Sequence, residues 1–144
     1  MTDIEFRIDL EDKLGYAVRL ARKYALTGQP RLVVTGAPPV LDALDAALWN
    51  AGAAEFPAHC RSGAPDEVLR RSPVVLADAV DDALPRDVLL NLGDAVPPGF
   101  ERFERLIELV GTAEDDRAAG RVRWTHYKHR GYSLRHQSAF GGRA

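Results

Sequence analysis

The sequence predicts a single α/β domain with an open, mostly parallel sheet flanked by helices. Short, continuous apolar runs, Leu32-Val33-Val34-Thr35, Pro73-Val74-Val75-Leu76-Ala77 and Asp87-Val88-Leu89-Leu90-Asn91-Leu92, have the character of strands covered on both faces. They alternate with segments whose apolar residues recur at helical spacing, and that alternation builds a parallel sheet with helices packed on it. A chain of 144 residues, 46% hydrophobic, suits one core.

The elements follow in order. Ile4, Phe6 and Ile8 alternate with polar residues as a first strand does, and residues 9–12 offer N-cap candidates. Leu14, Ala17, Val18, Ala21 and Ala25 share one helical face, which Gly28 and Pro30 end. The second strand, residues 32–35, leads into Gly36-Ala37-Pro38-Pro39, where a proline fits the first helical turn. Val40, Leu41, Leu44, Ala47 and Leu48 form the buried face of a second helix expected to stop near Gly52. Residues 56–59 have the pattern of a third strand, followed by a polar loop around residues 62–65 and a turn of helix at residues 66–70. Two buried strands come next, at residues 73–77 and 87–92. After Pro97-Pro98-Gly99, the i, i+3, i+4, i+7 spacing of Phe103, Leu106, Ile107 and Val110 predicts a helix. A basic helix follows it, and the domain is expected to span residues 1–136, with residues 137–144 as a flexible tail.

Charge singles out the last helix. Residues 1–116 carry 12 basic and 21 acidic side chains, whereas residues 117–144 carry 7 basic and none acidic. At about 100° per residue, Arg117, Arg121, Trp124 and Lys128 fall within roughly 40° of a common line. Guanidinium groups chelate carboxylates or phosphates and an indole offers a wide apolar contact, so the stripe suits an acidic partner with something apolar to bury. The alternative is a solvated face of a terminal helix, against which stands the single sign of the charge. Trp49 lies about 130° from the centre of its helix's apolar stripe and so falls outside the main core. With Phe56 in the next segment, it forms either a partner-binding anchor or a patch covered by a loop.

Catalytic and cofactor signals are weak. The Thr35-Gly36-Ala37-Pro38-Pro39 loop lacks both G-x-G-x-x-G and a P-loop lysine. Cys60 beside His59 has no identifiable third group and is expected to be structural, and one cysteine allows no internal disulfide. His126, His129 and His136 lack a companion carboxylate in the tail and any zinc-like spacing. Residues 114–116 complement the start of the basic helix as acidic residues do at a helix N-terminus. The first residues resemble no signal peptide, and no apolar stretch approaches a membrane span, so the expected compartment is the cytoplasm. No enzyme, cofactor, metal or membrane association is expected.

Several blocks taken together resemble the chi subunit of the bacterial DNA polymerase III holoenzyme, a clamp-loader accessory protein. They are residues 44–49 (Leu-Asp-Ala-Ala-Leu-Trp), 55–59 (Glu-Phe-Pro-Ala-His), 72–76 (Ser-Pro-Val-Val-Leu), and 87–92 running through 97–110. The basic segment 121–128 with Gly131 and Tyr132 matches as well. The resemblance implies a Rossmann-like fold without nucleotide binding and a non-catalytic role. It implies an adaptor that joins the clamp loader to single-stranded DNA-binding protein (SSB) by gripping the acidic SSB tail, which ends in Pro-Phe. The tail pocket, formed in the family by the last helix and the end of the helix before it, would map to Val110, Arg117, Arg121 and Trp124, with Lys128 as a further cation. Arg121 would pair with the terminal carboxylate, Val110 and Trp124 would enclose the Phe ring, and Arg117 with Lys128 would attract upstream aspartates. Thr125 stands where a relative has lysine, which shifts that contact toward Lys128. A second family surface, for the psi subunit or an alternative helicase partner, would map to Trp49 and Phe56. Association with DNA would be indirect; the competing reading is a module that binds single-stranded nucleic acid directly through the same Arg/Trp helix.

Overall fold

Asp12 starts the first helix as an N-cap, its carboxylate accepting the Gly15 N–H at 2.9 Å, and Gly28, at φ 76°, ends it in the left-handed conformation that glycine tolerates. The computed structural model describes residues 1–50 and 59–138. In chain order its elements are strand β1 (Asp3–Leu10), helix α1 (Lys13–Thr27), β2 (Leu32–Thr35), α2 (Pro38–Trp49), β3 (His59–Arg61), α3 (Asp66–Arg71), β4 (Val74–Ala77), β5 (Val88–Asn91), a 3-10 turn (Phe100–Arg102), β6 (Arg105–Gly111), α4 (Glu114–His129) and β7 (Leu134–Ser138). The expected start of the third strand at Phe56 and the expected helix end at Gly52 lie outside the described residues.

The strands form one sheet in the order β3-β4-β2-β5-β6-β1-β7, with every pairing parallel. This is the open α/β, Rossmann-like architecture. All four residues of β2, of β4 and of β5 are buried, as expected for strands covered on both faces. One core layer joins α1 and α2 to the sheet through Leu20, Leu41, Leu44, Leu48, Leu76 and Leu90. The other holds Ile4, Phe6, Leu89, Phe100, Leu106 and Tyr127. β1 contributes to both layers: Ile4 and Phe6 to the second, Leu10 to the first. Residues of even number should share one face of a strand, and the change of face comes from a register shift between Arg7 and Leu10, where Asp9 adopts φ 61°.

The segment after Gly99 corrects the sequence reading: Arg105–Gly111 is the strand β6, between β5 and β1, and not a helix. Residues 106–110 are buried, so a near-continuous apolar run sits inside the sheet. Such a run also satisfies an i, i+3, i+4, i+7 pattern, and periodicity alone does not separate the two states. The tail pocket assigned to the ends of two helices would therefore be framed by a helix and a strand. β7 is a further addition. Its polar sequence, Leu-Arg-His-Gln-Ser, lies largely exposed at the sheet edge beside β1, where no hydrophobic alternation is required.

Candidate functional site

The site is built on α4, whose two faces are set by different partners. Its inward face carries Gly120, Arg123 and Tyr127, all buried. A Cβ on Gly120 would stand 2.8 Å from Val110 Cγ2, so glycine is what lets the helix lie this close to β6. Arg123 Nε donates to Glu108 Oε1 at 2.9 Å, Tyr127 Oη donates to Glu108 Oε2 at 2.5 Å, and Asn91 Nδ2 donates to the same carboxylate at 3.0 Å. Arg123 Nη1 reaches the Asp94 carbonyl at 2.8 Å. Burial pushes the Glu108 carboxyl up from the usual carboxylate range, against which Arg123, Tyr127 and Asn91 all act. Burial and then Glu108 push the Tyr127 phenol well above its ordinary value, which keeps it a donor.

The start of α4 is tied down separately. Asp116 accepts the Gly111 N–H at 2.6 Å and pairs with Lys13 Nζ at 3.2 Å, joining α4 to the end of β6 and to α1. The acidic first turn therefore anchors the helix as well as complementing its dipole.

With α4 so placed, a cavity of about 410 Å³ opens between it and the β6-β1-β7 edge, lined by Phe6, Ile8, Asp9, Val110, Arg117, Gly120, Arg121, Trp124 and His136. Phe6, Ile8, Val110 and Trp124 make its apolar wall. The Trp124 ring meets Phe6 edge-on at 5.2 Å between centroids and His136 at 5.9 Å. Arg117 Nη2 lies 3.4 Å from Asp9 Oδ1, and Arg121 Nη2 lies 3.0 Å from Glu114 Oε1. The cavity thus combines room for one large apolar group with two guanidiniums at its rim.

Of the residues singled out in the sequence, Val110, Arg117, Arg121 and Trp124 all line this cavity. Lys128 is exposed on α4 and outside the lining. Phe6, Ile8, Asp9, Gly120 and His136 complete it, contributed by β1, α4 and β7. Trp49 is elsewhere, at the end of α2 near β3, 48% exposed, with its ring 5.0 Å from that of His59. His59 Nε2 lies 2.6 Å from Asp45 Oδ1, a pairing between β3 and α2 that neighbours in sequence could not reveal. Phe56 is outside the described residues.

Leu92 packs against the Gly36 loop, and a Cβ on Gly36 would be 3.3 Å from Leu92 Cβ, so glycine here permits a close approach of the two segments. Cys60 is buried in the second core layer. Among the described residues no group of three His, Cys, Asp or Glu side chains is placed to hold a metal ion, and no helix is long and apolar enough to cross a membrane.

The family model for the DNA polymerase III chi subunit, HolC, matches residues 1–135, from β1 into β7. The chain belongs to the chi-subunit family. Chi membership places the protein in the DNA polymerase III complex and gives it a part in DNA replication. The chi family is one of accessory subunits and is not known as a catalytic family. No curated protein matches the chain.

Proposed function

We propose that this chi-family protein is a non-catalytic cytoplasmic adaptor that links the clamp loader to SSB, seating the acidic SSB tail in the α4 cavity. The observation that carries the reading is the pairing of an apolar wall with two guanidiniums on the rim of one cavity. A terminal Phe ring would enter between Val110 and Trp124, and Arg121 would take the terminal carboxylate. Arg117 and Lys128 would draw in aspartates further up the tail. Burying the ring contributes about 1.5–3 kcal/mol and a charge-assisted hydrogen bond a similar amount, before ordering costs. Trp49, exposed at the opposite edge of the sheet, would serve the psi subunit or an alternative helicase partner, with Phe56 as its companion.

Fluorescence polarisation of a labelled peptide ending in Asp-Asp-Asp-Ile-Pro-Phe tests the reading, beside the same peptide lacking Phe and a labelled oligothymidine. Saturable binding of the first probe alone is expected. Binding of the oligonucleotide alone, or indifference to the Phe, would transfer the basic helix to direct nucleic-acid contact. The salt response separates the two further, because each phosphate contacted adds about 0.7 to the slope of log K against log salt for single strands.

A further inference from the structure

Resting on the proposed tail-docking reading, we infer that Asp9 is a specificity-determining residue that directs the ligand's terminal carboxylate to Arg121 rather than to Arg117. The two arginines are one helical turn apart and both line the cavity, so either could fork a carboxylate. Their present partners differ. Arg121 pairs with Glu114, a side chain 78% exposed, and such an exposed pair is readily exchanged for a ligand carboxylate. Arg117 faces Asp9, whose side chain is only 24% exposed and itself lines the cavity. The other oxygen of Asp9 accepts a hydrogen bond from Ser138 Oγ at 2.6 Å, which fixes the carboxylate between β1 and β7.

The backbone points the same way. Asp9 is the one residue other than glycine with positive φ among the described residues, and it sits in the register shift where β1 changes face. Irregularities of this kind re-aim a side chain, here a negative charge into a cavity that takes an anion. Inside the cavity, a carboxylate that forks Arg117 has to crowd the fixed Asp9, whereas one that forks Arg121 displaces only the exposed Glu114; upstream aspartates feel Arg117 at longer range. Asp9 thereby sets which arginine reads the end of the tail, and with it the depth and direction in which the tail lies.

The test measures the loss caused by Arg121→Ala in two backgrounds, using the acidic peptide ending in Pro-Phe and its C-terminal amide as probes. Asp9→Asn removes the charge alone, since asparagine tolerates the left-handed conformation and can still accept from Ser138. Asp9→Gly is the second background, because glycine adopts φ 61° without strain. In the natural chain Arg121→Ala should weaken the acid peptide by about tenfold or more. In either Asp9 background Arg117 becomes available, and the same substitution should cost about threefold or less, with acid still preferred over amide. Equal losses in all backgrounds would overturn the role of Asp9 and leave the docking site standing. Failure of the natural chain to bind the acid peptide would overturn both.

Discussion

Arg121 and Arg123 stand two residues apart on α4 and belong to different parts of the protein's physics. Arg123 is 1% exposed, its charge met by Glu108 and its second nitrogen by a carbonyl, whereas the exposed Arg121 pairs with Glu114, which is exposed as well. The inward arginine holds the helix; the outward one is available to a ligand. In the proposed reading, identical side chains thus divide into structure and recognition according to the face on which a helical period of 3.6 places them.

The sharpest way to break this contrast is Arg123→Ala. It leaves the Glu108 carboxylate buried without its cation, and a loss of about 3–5 kcal/mol is expected. Urea unfolding would show it as a fall in midpoint. Gly120→Ala comes next: the added methyl meets Val110 and forces α4 outward, at about 1–3 kcal/mol less any gain in helix propensity. Peptide binding should fall with it, since Val110 and Gly120 both line the cavity. Arg121→Ala should change stability by no more than about 0.5 kcal/mol while weakening the acidic peptide about tenfold. An unfolding midpoint displaced as far as that of Arg123→Ala would erase the distinction between the faces. Lys128→Ala, exposed and beyond the cavity lining, should alter peptide affinity about twofold or less, most visibly at low salt in titrations at two ionic strengths.

Much of the fold was legible locally. The runs in β2, β4 and β5 are apolar because both sheet faces are covered, and Asp12 and Gly28 mark the ends of α1 through their own backbone preferences. β6 reads as a helix because a run apolar on both faces carries no period, and its one buried polar residue, Glu108, has partners on β5 and α4 that only the fold assembles. That lone buried carboxylate, with Arg123 spaced three residues from Gly120 and four from Tyr127, was the available signal for the inward face. A third of the cavity's lining was visible as a stripe because Arg117, Arg121 and Trp124 share a helix. Phe6, Ile8, Asp9 and His136 were not, since a parallel sheet brings them to α4 across more than a hundred residues of chain or from a polar edge strand.

β1 finds its two neighbours, β6 and β7, only after about a hundred residues have intervened. At bacterial synthesis rates that interval lasts about 5–20 s, during which the first strand has left the ribosome with neither edge paired. Three of the cavity's walls therefore come into existence together and late. A chain made only part of the way to β7 has no cavity to offer, so only molecules in which β7 has joined β1 compete for a ligand there.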